Sequence, residues 1–301
     1  MDGTGYAEYR PLMFSIAYRM TGSVSDAEDI VQEAFLRMAR SGTGDIASPR
    51  AYLATMTTRL AIDHLRSARV RRESYVGTWL PEPLLADDGR GPAEQAEMSD
   101  SLSLAFLVLL ESLSPVERAV FLLREVFGYG YDEIASAVGK SEPNCRQIFT
   151  RGRRHIDEGR PRFRTSRAEG EELVRRFLDA VAGGDMAALI ELIAPDVVFY
   201  GDSGGRSEAA LSPVYGREQV ISFLVEVIRR ADQRGGVSMR PAWINGQPGL
   251  VTCDGDGGLI GVIAFDVLDG MVQAIRSVVN PDKLRHVGPL SGTWHLGEPG
   301  H

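Results

Sequence analysis

Residues 131–156, YDEIASAVGKSEPNCRQIFTRGRRHI, join a short apolar-faced helix to an arginine-rich one across a single glycine. Few arrangements accept that pattern, and the helix-turn-helix is the foremost of them. Ile134, Ala135 and Val138 are expected on the inner face of the first helix, with Ala135 small enough for close helix approach. Gly139 is expected at a positive φ in the turn. Ser141 is the expected N-cap and Pro143 falls in the first turn of the second helix. Cys145 and Ile148 then face back, Cys145 as a small core residue. Residues 115–127, carrying Val116, Ala119, Val120, Leu123 and Val126, complete an apolar platform. The outer face of the second helix presents Glu142, Asn144, Arg146, Gln147, Thr150, Arg151, Arg153 and Arg154. Asn, Gln and Arg can bond base edges through two hydrogen bonds, each pair discriminating by about 1–3 kcal/mol. The later arginines suit phosphates. A general helical hairpin shares parts of this pattern, but the cap, turn, small residue and Arg face together point to a DNA reader.

The surrounding composition makes that positive charge local. The chain of 301 residues has a formal net charge of −8, so indiscriminate nucleic-acid binding is excluded and any DNA contact must come from a patch. Residues 1–160 hold 19 Arg+Lys against 23 Asp+Glu, so the first half is not basic as a whole. The length implies two or three domains. Cys145 and Cys253 show no ligand spacing, so neither a disulfide framework nor a metal site is expected. No run of 18 apolar residues occurs and MDGTGYAEYR lacks a signal-peptide core, which implies a cytoplasmic protein with no membrane partner. No cofactor motif is present.

Texture divides the chain into 1–74, helix-patterned; 75–100, a Pro/Gly-rich acidic linker; 101–165, helical again; 166–286, a helical pair followed by β-rich sequence; and 287–301, a loose tail. Capping boxes are expected at Ser25–Glu28 and Ser114–Glu117, the latter with Pro115 at the first helical position, and Ser48-Pro49 opens a long helix. Asn245-Gly246 and Asp269-Gly270 each separate two strand-like runs and predict two-residue hairpins. The last third therefore reads as an α+β unit, a curved antiparallel sheet with helices on one face.

In 49–72, Leu53, Met56 and Leu60 should face a core, while Arg59, Asp63 and Arg66 share another face and Arg69 extends its charge. A polar, Arg-bearing face of this kind suits phosphate contact and strand capture. The helix at 26–39 differs: Asp29 and Glu33 form an acidic stripe, and Ile30, Ala34 and Leu36 are available for packing. Such a stripe repels DNA; it is either solvated or docked on a basic protein.

These segments resemble a known family. AYRMTGSVSDAEDIVQEAFLRMAR is similar to the core-binding helices of region 2 of extracytoplasmic-function (ECF) RNA polymerase sigma factors. PRAYLATMTTRLAIDHLRSARVRRE resembles that region's −10-reading segment, and LSPVERAVFLLREVFGYGYDEIASAVGKSEPNCRQIFTRGRRHI resembles region 4, which reads the −35 element. TWLPEP at 78–83, GDSGGR at 201–206 and NPDK at 280–283 resemble signatures of the subgroup with a fused C-terminal SnoaL-like domain, although GDSGGR departs from that subgroup's Gly-richer form. The resemblance implies two all-α sigma domains, the second with a helix-turn-helix, followed by an α+β SnoaL-like cone. It implies core RNA polymerase and promoter DNA as partners. It places Asp29 and Glu33 on the polymerase-docking surface, Arg59, Asp63, Arg66 and Arg69 on the −10 reader, and Ser141 to Arg154 in the −35 major groove. The loop at 41–48 would receive an unstacked base.

For the C-terminal domain the expectation is regulation without catalysis. Phe199, Tyr200, Trp243, Phe265 and Asp266 are candidate pocket residues, and Asp266 with Tyr200 is the one polar pair that could do chemistry. Trp79 and Leu80, with Pro81, Glu82 and Pro83, form a stiff apolar segment that must pack on something. The expectation is that the C-terminal domain holds this linker, through Asp202 and Arg206 on one loop and Asn280, Pro281, Asp282 and Lys283 on another. Two alternatives stay open: a one-component regulator that senses a small molecule in the cone, and a DNA-tethered SnoaL-like enzyme.

Overall fold

A computed structural model of the protein describes residues 8–41, 48–73, 75–85, 101–159, 165–206, 212–233 and 235–292. The chain forms two compact units: Met1–Ser74 with Leu107–Arg160, and Tyr75–Phe106 with Pro161–His301.

The first unit is all helix. α1 (Arg10–Thr21), α2 (Val24–Ser41) and α3 (Pro49–Glu73) pack around Met13, Val31, Ala34, Met38 and Leu53, with Met56 and Leu60 against the same cluster. Ile30 and Ala34 are buried as expected, but Leu36 is 45% exposed. The cap of α2 is Ser23, not Ser25: its hydroxyl accepts the Asp26 N–H at 3.1 Å. The helix starts two residues earlier because Gly22, at φ 68°, ends α1 and leaves Ser23 to begin the next helix.

Beyond a short helix α4 (Leu104–Leu110) lie α5 (Pro115–Glu125), α6 (Tyr131–Val138) and α7 (Glu142–Gly159). The Ser114–Glu117 capping box and Pro115 at its first position open α5 as expected. Gly139 turns at φ 65° and Ser141 caps α7 through the Asn144 N–H at 3.4 Å. The inner face of α6 differs by one step. Ile134 and Ala137 are buried, whereas Ala135 and Val138 are half-buried. Residues three apart share that face, and Ala137 takes the place of the equally small Ala135 in the buried stripe. Cys145, Ile148, Gly152 and Ile156 form the buried stripe of α7.

The second unit is α+β. α8 (Arg167–Gly183) and α9 (Met186–Leu192) lead into β1 (Ile193–Asp202), then β2 (Val214–Tyr215), α10 (Arg217–Gln233), β3 (Val237–Ile244), β4 (Gln247–Asp254), β5 (Leu259–Leu268) and β6 (Met271–Val278). Both expected hairpin turns occur, with Asn245 and Asp269 at φ 53° and 51°. The sheet order is β2-β1-β6-β5-β4-β3. The sheet is mixed rather than wholly antiparallel, because β1 pairs with β6 in parallel, Phe199 opposite Ile275. Only local hairpins are legible in sequence; that pairing joins strands at opposite ends of the domain. Leu173, Val174 and Phe177 of α8 and Val220, Ile221 and Leu224 of α10 pack with Phe265, Ile275 and Val197 to form the core. Near the C-terminal end, Leu259 exchanges backbone hydrogen bonds with Pro289 and Ser291, so residues expected to be loose bridge to the first residue of β5. Residues 293–301 lie outside the described residues.

Candidate nucleic-acid interface and linker site

The outer face of α7 is polar, exposed and rich in arginine. Its fixed inner stripe leaves Glu142, Asn144, Arg146, Gln147, Thr150, Arg151, Arg153 and Arg154 exposed, together with Ser141 at the cap. Several are pre-oriented. Arg146 lies 4.2 Å above the Tyr131 ring and pairs with Glu142 at 3.4 Å. Arg151 makes two bonds to Glu117, at 3.0 and 2.6 Å, and Arg153 lies 3.7 Å from Glu125. The Ser114 hydroxyl, ahead of Arg151, holds the Glu117 carboxyl below the usual range. Exposed pairs of this kind are worth about 0–1 kcal/mol, so a phosphate can displace them. The Thr150 hydroxyl donates back to the Arg146 carbonyl at 2.9 Å.

On α3 the expected face is partly occupied. The Arg59 guanidinium donates to the carbonyls of Ala137 and Ser136, at 3.1 and 2.6 Å, the open C-terminal end of α6. Those carbonyls carry the negative end of the helix dipole, which makes them a natural seat for a cation. Asp63 and Arg66 are exposed and pair at 3.5 Å. The side chain of Arg69 and the loop at 42–47 lie outside the described residues. Two further arginines bind the helical regions within this unit, and neither was legible in the sequence. Arg118 of α5, 3% exposed, pairs with Glu111 at 2.6 Å and donates to the Met20 carbonyl of α1. Arg19 of α1 lies 5.6 Å from the Phe127 ring, and burial lowers its pKa to about 10. On α2, Asp29 is exposed and Glu33 bonds Arg37 at 2.7 Å.

In the second unit residues 75–85 of the linker are held as a segment without regular secondary structure. Leu80 is fully buried and Pro81, Glu82 and Pro83 are buried beside it. Both backbone groups of Leu80 are taken: its N–H donates to the Asp202 carboxylate at 2.8 Å, and its carbonyl accepts from Lys283 Nζ. Asp202 and Lys283 pair at 2.6 Å with side-chain exposures of 0% and 10%. The Lys283 ammonium also lies over the rings of Tyr75 and Trp79, at 4.8 and 4.5 Å. The Tyr75 hydroxyl donates to Asp202 and accepts from Asn280 at 3.0 Å. Burial, reinforced by the bond to Asp202, pushes its pKa well up. Gly204 and Gly205 are required here. A Cβ at Gly204 would sit 2.5 Å from Asn280 Nδ2, and one at Gly205 would meet Val76 at 3.0 Å. Arg206 and Asp282 bond each other at 2.6 Å instead of the linker, thereby tying the two loops together. His286 Nε2 donates to the Pro83 carbonyl at 2.7 Å, and neither this contact nor that of Tyr75 is signalled by local sequence.

The candidate pocket residues do not converge. Phe199 and Phe265 are core. Asp266 is fully buried and bound by Arg276 at 3.0 Å and by Gln247, while the Arg276 guanidinium lies 4.6 Å over the Tyr200 ring. The Arg276 guanidinium thus engages both members of the one polar pair that could do chemistry. Trp243 instead lines a cleft of about 440 Å3 with Leu85, Arg167, Gly170, Arg240 and Pro248. Among the described residues no cluster of His, Cys, Asp or Glu could hold a metal ion, and no helix is long and apolar enough to cross a membrane.

Comparison with known proteins bears on the whole chain. Residues 6–71 match the family model "Sigma-70 region 2", residues 103–156 match "Sigma-70, region 4", and residues 174–261 match "SnoaL-like domain". The chain is 37% identical to the ECF RNA polymerase sigma factor SigJ of Mycobacterium tuberculosis, over 94% of this chain and 93% of that one. It is 33% identical to the probable ECF RNA polymerase sigma factor SigI of the same species, over 92% of each chain. The crystal structure of M. tuberculosis SigJ superposes with a TM-score of 0.77 at 35% identity, covering 96% of this chain and all of that one. With helical regions 2 and 4 in order and a SnoaL-like domain after them, this chain belongs to the extracytoplasmic-function sigma factors of RNA polymerase.

Proposed function

We propose that this sigma factor is governed by its own C-terminal domain, which holds the linker between the two promoter readers and so controls when they separate. The observation that carries the proposal is Leu80: fully buried, with its N–H and carbonyl bound by the Asp202–Lys283 pair. A linker merely passing by would leave its backbone to water. In this reading Asn144, Arg146, Gln147, Arg151, Arg153 and Arg154 meet the −35 element, with Ser141, Glu142 and Thr150 shaping the same surface. Asp63, Arg66 and Arg69 meet the −10 strand, and Asp29 and Glu33 dock on core polymerase. Arg59 joins the −10 surface only after leaving the end of α6, so the arrangement described here is the resting one.

The buried Asp266–Arg276 pair supports a non-catalytic role for the cone, since a carboxylate fixed by a guanidinium is a poor base. Run-off transcription with purified core polymerase tests the proposal. Truncation after residue 165 is expected to change promoter output strongly, and equal output from the full-length and truncated proteins would sink it.

A further inference from the structure

The GDSGGR and NPDK loops hold one end of the linker. A second site, on the β3–β4 hairpin, holds both. Asn245 is 2% exposed and stands at φ 53° in the turn. Its backbone N–H donates to the Leu84 carbonyl at 2.8 Å, and its Oδ1 accepts the Leu84 N–H at 2.8 Å. Its Nδ2 donates to the Leu102 carbonyl at 2.8 Å. The donors and acceptors fix which way the amide points, because Leu84 offers an N–H and Leu102 a carbonyl. One asparagine therefore grips the linker on both sides of the 17 residues that separate Leu84 from Leu102.

Gln247, two residues on, extends the grip. Its Oε1 accepts the N–H of Leu104, the first residue of α4, at 3.2 Å. That N–H is one of the donors a helix start leaves without an internal partner. The Gln247 Nε2 donates to Asp266, which Arg276 holds at 3.0 Å. The buried ion pair of the cone thus orients the amide that caps α4.

We infer that Asn245 and Gln247 form a catch that keeps the two ends of the linker together on the C-terminal domain, and that opening it is a step towards the polymerase-bound form. The inference rests on the linker-control reading above and identifies where the linker is released. Closed, the catch holds Leu84 and Leu102 on a single side chain. Open, the chain between them can reach about 60 Å at roughly 3.3–3.6 Å per residue. Backbone hydrogen bonds to a neutral amide suit a catch, since each contributes about 1 kcal/mol, or about 5-fold in an opening equilibrium.

The test uses the full-length protein. Asn245→Gly keeps a residue that tolerates the positive φ and removes both side-chain bonds. Asn245→Asp keeps the acceptor for Leu84 and loses the donor to Leu102. Hydrogen exchange at the Leu84 amide is expected to rise roughly 10-fold or more in Asn245→Gly and to stay near wild type in Asn245→Asp. Affinity for core polymerase is expected to rise several-fold in both. If Asn245→Gly lowers the melting temperature markedly, Asn245→Asp carries the test through its core affinity. Unchanged exchange at Leu84 in a folded Asn245→Gly protein would overturn the catch. So would raised exchange with unchanged core affinity. Truncation separates the two readings: if it alters transcription while the Asn245 variants bind core as wild type does, the catch fails and linker control stands. If truncation alters nothing, linker control itself fails.

Discussion

Replacing Lys283 with methionine tests whether the linker anchor is an ion pair taken out of water. Asp202 is wholly buried and Lys283 nearly so, 2.6 Å apart. Met keeps the apolar stem and removes the charge, the bond to the Leu80 carbonyl and the ammonium over Tyr75 and Trp79. Breaking one side of a buried pair costs about 3–5 kcal/mol, because the surviving charge stays buried without its counterion. Asp202 keeps the bonds from Tyr75, from the Leu80 N–H and, at 3.1 Å, from the Gly204 N–H, which places the cost near the lower figure. At about 2–4 °C per kcal/mol for a unit of this size, about 3 kcal/mol becomes a fall of about 6–12 °C in Tm. Trp79 and Trp243 belong to the unit that contains the pair, and Trp79 lies against Lys283 itself, so intrinsic fluorescence follows its melting in the full-length protein. Adding Asp202→Asn to Lys283→Met removes the stranded charge and should recover part of the loss. A cost below about 1 kcal/mol for Lys283→Met, or a double variant that loses the sum of the two singles, would refute the reasoning.

Gln147→Ala and Arg154→Ala separate base reading from phosphate contact. The first should lose about 1–3 kcal/mol on the cognate −35 duplex and little on others, the second should weaken binding evenly with a shallower salt slope, and titrations of the core-bound protein at several salt concentrations check both. Glu117 gives a pH signature: its carboxyl is lowered in the folded state, first by the Ser114 hydroxyl, so its contribution is complete above its unfolded pKa of about 4.3 and falls away as pH drops through the folded value. The difference in melting temperature between the wild type and Glu117→Gln should accordingly be constant above about pH 4.3 and shrink as pH falls further.

Local chemistry made much of this protein legible in its sequence. Gly139 can end α6 only because it tolerates a positive φ, Ser114 and Glu117 cap each other three residues apart, and the Asn-Gly and Asp-Gly pairs turn hairpins, all without help from distant residues. The alternation that buries Cys145 and Ile148 left an outer arginine face by default. Where a local signal was shared between neighbours, the reading slipped: Ser23 and Ser25 both suit a cap, and Gly22 decided between them.

Tertiary structure alone decided the pairings across long stretches of chain. Nothing near Arg59 indicates that it will seat on the end of α6, nor does Arg118 announce the Met20 carbonyl. Asn245 reads as a turn residue, and its grip on Leu84 and Leu102 exists only once the sheet has carried it to them. β1 and β6, the first and last long strands of the domain, pair in parallel across most of its length in sequence. Spacing along a chain fixes which side chains share a face, but a buried charge or backbone group takes whatever partner the packing delivers, and those deliveries determine how the linker is held.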